Sequence, residues 1–526
     1  MAGMTVVITA LMTSAADAQQ PTVVLSIRGI DSVLDDAEFI GGETGREGTR
    51  DNAEQSIGAF TGGKGLAGID QTKPLGLYWN ASAAGALEMP VAFIPVSDAD
   101  DLKELLQELT PDFKDSKGQW SMTVNGVKLF ARVSDDYCFI SNLPIAVPKL
   151  LDPSQFVNSK YDIALDVSIA SIPDEFKETF LAQAEANGRQ SMENSPEPET
   201  EAERVGRDVG FNATLAVLKS LVNDGDQFTV GVDVDEESRL GALDIGVTGK
   251  PNSNLAKALT AYGKTVPAFA SLGSDASPFR MVVSYPTGGF IEQLNTAFNA
   301  ARDTTNQQIE DDSRIGDSDR DTVKSIANRL FDIAQATATS GSMHSGLVLE
   351  SGGEGKARVI GGARVAKGDE AEKLLDDVFK LAKDNPDLAK IKIDAAKHAG
   401  ARIHAVTQEP GADSEKQFGD EPAHFAIRPD SLWMSIGGDN LNALKKALDA
   451  KPPTRTTMAP ISIRVKPAAL VMLIEKDNED LIERAKDVVG KPGDRMNLDI
   501  APLPNGAKLR IELGVDLLQL TEPIDE

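Results

Sequence analysis

The apolar positions of this chain recur in one order: a short stretch of period two, a breaker, then a stretch of period near 3.6. In YDIALDVSIASIPDEFKETFL (Tyr161–Leu181), Ile163, Leu165, Val167 and Ile169 alternate with small or polar residues, as in a strand with one buried face. Ser171 and Pro173 interrupt the alternation, with Ser171 the expected N-cap. Phe176, Phe180 and Leu181 then share one helical face. The same order predicts strands at Val23–Ile27, Phe279–Tyr285 and Ile461–Val465, each leading into a helix. Four such starts imply a four-part architecture.

Hairpins fill the space between these starts. Leu75–Asn80 with Met89–Val96, QFTVGVDVDEESRLGALDIGV and SGLVLESGGEGKARVIGGARV all alternate on both sides of a small-residue turn. WSMTVNGVKLFARV turns at Asn125-Gly126 and MNLDIAPLPNGAKLRIEL at Asn505-Gly506, because type I′ turns need positive φ at two successive residues. IKIDAAKHAGARIHAV reads as the counterpart of the Asn125-Gly126 hairpin, which puts His404 in the place of Phe130. Ser97-Asp98, Asn252-Ser253 and Asp369 cap amphipathic helices, and a short helix is expected from Asn142 to about Leu151. Gly41–Lys73, Asn187–Arg207, Asn306–Asp321 and Glu409–Pro422 are polar stretches without apolar period and read as loops or connectors.

Hairpins outnumber parallel crossovers, so the expected fold is α+β, with largely antiparallel sheets and helices on one face. The order of elements repeats across residues 21–262 and 278–526. That repetition predicts a tandem duplication of a strand–helix–hairpin–helix unit. Residues 1–20 precede both halves and read as an export signal, with an apolar core at Val6–Met12 and small residues at Ala16 and Ala18. No basic residue precedes that core.

Charge narrows the partners. The net charge of −28 repels nucleic acid and anionic membrane surfaces. Cys138 is the only cysteine, which excludes an intramolecular disulfide or a Cys-based zinc site; within YCFIS it is expected to be a buried, inert thiol. No later stretch is apolar for long enough to span a bilayer.

No catalytic, cofactor-binding or metal-binding residue emerges. The histidines are His344, His398, His404 and His424. His398 and His404 have the same numerical parity and would need a third ligand, His424 or Asp394, to hold a metal; a packing role for His404 fits its setting better. Asp317-Ser318-Asp319-Arg320-Asp321 imitates the start of a calcium loop, but Thr322 and Asn328 stand where glycine and glutamate are needed. An acidic helix N-terminus accounts for it. Gly58–Gly65 resembles a phosphate loop through Lys64, yet Gly65 replaces the metal-binding hydroxyl and no strand precedes it. Trp79, Trp120 and Trp433 are expected in cores.

The export-like start, the acidity and the hairpins LGALDIGV and AKLRIELGV resemble those of uncharacterised acidic exported proteins of planctomycete-type bacteria. That resemblance implies no catalytic residue. Three functions follow from the sequence. The first is an exported non-enzymatic protein, structural or binding a protein partner or small ligand. The second is a periplasmic carrier of an apolar ligand, like the lipoprotein carriers, with sheet and helices around a cavity. The third is a hydrolase whose site is assembled from distant residues.

Overall fold

A computed structural model of the chain describes residues 20–81, 88–144, 150–194, 201–288, 291–313, 315–383, 390–407, 412–452 and 458–521. The export-like stretch, apart from Gln20, lies outside the described residues, as does the middle of the helix expected after Asn142. The chain forms two compact units, one from Met1–Ala37 with Thr49–Phe176 and one from Glu38–Gly48 with Lys177–Glu526. Mixed helix and antiparallel sheet make up both, and no described helix is long and apolar enough to cross a membrane.

In the first unit the strands are β1 (Val23–Ile27), β2 (Leu75–Trp79), β3 (Val91–Pro95), β4 (Lys114–Ser116), β5 (Gln119–Val124), β6 (Val127–Ser134), β7 (Tyr137–Ser141) and β8 (Ile163–Ser168). They pair antiparallel in the order β8-β1-β2-β3-β7-β6-β5-β4. Helix α1 starts at Ile30, α2 spans Thr49–Phe60 and α3 spans Ala99–Leu109. Asp98 caps α3 by accepting from the Asp100 and Asp101 amides. Alternation then sorts the side chains: Trp120, Met122, Ala131 and Cys138 pack under Leu102 and Leu105 of α3. Tyr78, Phe93, Tyr137 and Phe139 form a second cluster with Leu150 and Phe156.

The second unit continues from α4 (Asp174–Glu193) through α5 (Glu201–Asp224), β9 (Gly225–Asp235), β10 (Leu240–Gly249) and α6 (Asn254–Gly263). Next come β11 (Phe279–Pro286), α7 (Ile291–Asp311), α8 (Asp317–Ala338), β12 (Ser342–Gly353), β13 (Lys356–Arg364) and α9 (Gly368–Lys383). Then follow β14 (Lys390–His398), β15 (Ala401–Thr407), α10 (Ala412–Phe418), β16 (Ala423–Arg428), β17 (Ser431–Gly437) and α11 (Asn440–Asp449). The unit closes with β18 (Ile461–Val465), α12 (Pro467–Ile474), α13 (Glu479–Val488), β19 (Met496–Leu503) and β20 (Gly506–Gly514). Its ladder runs β9-β10-β20-β19-β18-β11-β12-β13-β17-β16-β15-β14.

Helices cover both faces of this second sheet, not one. Both parities of β15 are buried: Ile403 packs towards Leu444 and Leu448 of α11, while His404 meets Phe379 of α9 edge-on. Phe269 presses so closely on the α11 face that a Cβ at Gly346 or Gly362 would lie within 2.6 Å of its side-chain atoms.

Several expected loops are helical. Residues 187–193 and 201–207 belong to α4 and α5, held by Glu185–Arg189 and Arg204–Asp208 pairs at i,i+4. Within Gly41–Lys73 lies α2, whose Arg50 bridges Asp31, Asp35 and Glu54. The Asn306–Asp321 connector is mostly the end of α7 and the start of α8, and α10 occupies part of Glu409–Pro422. These stretches lack an apolar stripe but are rich in strong helix formers and charge pairs. Ser171 is not a helix cap: it closes a 3-10 turn by donating to the Ser168 carbonyl, and α4 begins after Pro173. Phe176 and Phe180 are exposed while Leu181 is buried.

Two turn assignments also move. Leu503 faces Gly506, so Pro504 and Asn505 form the tip, with Asn505 at φ 56°; proline followed by a left-handed residue suits a type II turn. In each ladder, β15 holds the place of β5, not β6. Gly400 therefore matches Gly118, and His404 matches the buried Met122 rather than Phe130.

The seam between β10 and β20 runs from Leu240 opposite Gly514 to Thr248 opposite Gly506. At its centre Asp244, 1% exposed, meets Arg510 at 3.1 Å and Lys508 at 2.7 Å. Removing one partner of such a buried cluster leaves uncompensated charge. Because Lys508 and Arg510 retain some solvent contact, Asp244→Asn is expected to cost about 2–3 kcal/mol. A lower urea midpoint with unchanged slope would register it.

Acid should act at the same seam and beside it. Although burial opposes ionisation, the Asn497 and Arg510 hydrogen bonds hold the Glu512 carboxyl below its usual range. Asp516 is likewise held low, against burial, by Arg239 and the Gly493 amide. Both folded pKa values lie below the unfolded ones, so both groups stabilise the fold above about pH 4 and lose that contribution as pH falls further. Arg239→Gln should flatten the acid limb of a melting-temperature profile.

Candidate functional site

The row Val283, Ser345, Ala363, Leu432 and Ile427 crosses β11, β12, β13, β17 and β16 in register. Above it lie α7, α8 and α9, which enclose a cavity of about 660 Å³. Phe298 of α7, Ile326, Leu330 and Ile333 of α8, and Leu374 and Val378 of α9 line it. The helices hold together partly through polar contacts away from the cavity: Arg302 to Asp332 at 2.7 Å and Arg329 to Asp377 at 2.7 Å. Apolar side chains are also exposed where the cavity opens. Leu330 is 58% exposed and Met343 45%, far above a filled core.

A polar cluster sits at the strand ends beside the cavity but on the other sheet face: His344, across from Ser284, holds Ser284 Oγ at Nδ1 and Ser342 Oγ at Nε2, each at 2.9 Å. A neutral imidazole donates through one nitrogen and accepts through the other, which satisfies both hydroxyls. Burial, then the charge of Arg364, holds the His344 imidazole below its usual range. The geometry does not suit nucleophilic catalysis. Ser284 is fully buried, and a second serine, not a carboxylate, occupies the far ring nitrogen.

The candidates weighed from the sequence lie elsewhere, and the histidines separate. His424 donates from Nδ1 to Asn440 Oδ1 of α11. His404 is packed under Phe379 of α9, and His398 joins Asp449 at 2.9 Å. His398 and His404 fall on opposite faces despite equal parity, because His398 pairs with Ala401 and the odd sum reverses parity across the turn. Among the described residues no group of three or more His, Cys, Asp or Glu is placed to hold a metal ion. Asp317 and Asp319 lie in the first turn of α8, and Lys64 pairs with Glu104 at 2.9 Å. Cys138 is fully buried and its thiol pKa is pushed by burial up to about 12. Trp120 and Trp433 are buried and Trp79 is half-buried.

Sequence reasoning allowed a cavity between sheet and helices but named none of its lining residues, since these come from strands and helices far apart in the chain. The one usable signal was the short, separate apolar face on each of α7, α8 and α9. No family model, curated protein or solved structure matches the chain.

The His344 ring carries a pH expectation. Its folded pKa lies below the unfolded one, so stability should fall as pH drops below about 6.5 and level off beneath the folded value. The imidazole Cε1 proton followed by NMR is expected to titrate below that range. His344→Gln should remove this step from a melting-temperature profile.

Proposed function

We propose that this protein is an exported, non-enzymatic binding protein that carries an apolar or amphipathic small molecule between α7, α8, α9 and the sheet. One observation carries the reading: the cavity of about 660 Å³ with an almost wholly apolar lining and exposed Leu330 and Met343 at its opening. Its volume falls within the range of small-molecule sites, and such sites pair an apolar wall with a few placed polar groups. Ser345, beside Val283 on the wall, and Thr337 of α8 bring hydroxyls to that lining. Separation of His404 from His424 on opposite sheet faces removes the cluster that a hydrolase reading needs.

The duplication expected from the sequence belongs to the same proposal. Supporting it, the orders β8-β1-β2-β3-β7-β6-β5-β4 and β18-β11-β12-β13-β17-β16-β15-β14 match strand for strand.

A fluorescent apolar probe such as 1-N-phenylnaphthylamine, displaced by long-chain fatty acid, tests the cavity. Saturable binding with one site is expected. Ala334→Trp fills the space from α8 and should weaken binding about tenfold or more, with a melting temperature equal to or above the parent. Unchanged probe affinity in a folded A334W variant would sink the carrier reading.

A further inference from the structure

Four adjacent strands of the second sheet carry a polar row on the face opposite Val283. Arg280 of β11 stands directly across from Arg464 of β18, which faces Asn497 of β19, which faces Glu512 of β20. Two like charges placed opposite each other on neighbouring strands repel. Burial, with the field of Arg464 acting in the same direction, leaves the Arg280 guanidinium below its usual range. Arg280 is 5% exposed; one Nη donates to the Ala270 carbonyl and the other reaches Asp275 at 3.3 Å, while Nε has no hydrogen-bond partner. The row borders a cleft of about 780 Å³ that Lys466, Lys491 and Arg495 also line. Arg495 Nε is a second buried donor without an acceptor. In a chain of net charge −28, gathering five basic side chains at one cleft needs a local cause.

Carboxylates offset part of this charge: Arg464 pairs with Asp499 Oδ2 at 2.6 Å, while those lining the cleft itself are engaged elsewhere or turned to solvent. Asp275 is 97% exposed on its side chain. Glu512 is occupied by Asn497 at 2.8 Å and Arg510 at 2.8 Å. Asp494 is 3% exposed, and its Oδ1 accepts from the Ala468 amide at 2.9 Å. Its Oδ2 is buried and receives no hydrogen bond.

We propose that this cleft binds a protonated phosphate group, with Arg280, Arg464, Lys466 and Arg495 holding its oxygens and Asp494 Oδ2 accepting its hydroxyl. Guanidinium forks match the geometry of phosphate oxygens. An acceptor such as Asp494 discriminates in favour of phosphate over sulfate, which has no proton to donate near neutral pH. The site is separate from the apolar cavity, which lies on the other face of the sheet. Inorganic phosphate and a phosphate monoester share this chemistry.

Calorimetric titration of the full chain with inorganic phosphate, sulfate and glycerol 3-phosphate, at matched ionic strength, tests it. Saturable phosphate binding at one site is expected, with sulfate at least about tenfold weaker. Tighter binding of glycerol 3-phosphate than of phosphate assigns a monoester as the source, and the reverse assigns the free anion. Arg464→Gln and Lys466→Gln are expected to weaken phosphate about tenfold each, and Asp494→Asn to narrow the gap between phosphate and sulfate. Arg280→Met is the most direct variant but can disturb the core, so the partly exposed Arg464 and Lys466 decide. Phosphate heat no greater than that of chloride, or equal affinity in folded R464Q and K466Q, would overturn the proposal.

Discussion

The Asp244 carboxylate fixes the second sheet at its middle. It sits where β10 meets β20, strands with no sequence proximity, and draws Lys508 and Arg510 onto one side chain. Apolar alternation alone permits these strands to slip by two residues without exposing a core face. A buried charge at a single register position biases the choice, because a two-residue slip one way sets Asp244 opposite Glu512, and a slip the other way leaves it opposite Lys508 without Arg510 directly across. The strands on each side then inherit their positions by pairing outward, β9 from β10 and β19 from β20. Arg239 bonded to Asp516 and Glu43 ties off one end of the same seam.

With that register set, strand alternation gives the two sheet faces different chemistry. On β11, Val283 faces the apolar cavity while Arg280 belongs to the opposite, charged row. Neighbouring strands continue both rows in step. The apolar row passes through Ser345, Ala363 and Leu432; the charged row passes through Arg464 and Asn497. One sheet thus supports an apolar compartment and a cationic cleft without either borrowing the other's residues.

Much of the fold was legible because period-two alternation is local. The strands at Val23–Ile27, Ile163–Ser168, Phe279–Pro286 and Ile461–Val465 follow from four or five residues each, and each leads into helix as expected. Asn125-Gly126 lies at its hairpin tip with both φ values positive. The extents of the long helices were the failure: α5, α7 and α8 run on into polar stretches read as loops, where charge pairing and helix propensity outweigh the missing stripe. Gly400 misled because a Gly-containing turn is equally good at either of two successive hairpins, and only the ladder order separates them. Neither candidate site was legible. Arg280 and Arg464 are separated along the chain by three hairpins and several helices, and only pairing brings them together.

The long reach between β10 and β20 has a consequence for how the chain is made. Asp244 and Arg510 lie 266 positions apart, so during synthesis β10 waits with one edge unsatisfied until the far end emerges. Non-local pairing of this kind is slow, and an exposed edge is a template for other chains. Export in an unfolded state, followed by folding from the complete polypeptide, would spare β10 that interval. A chain cut short before Gly506 would keep the exposed edge permanently and should aggregate rather than fold.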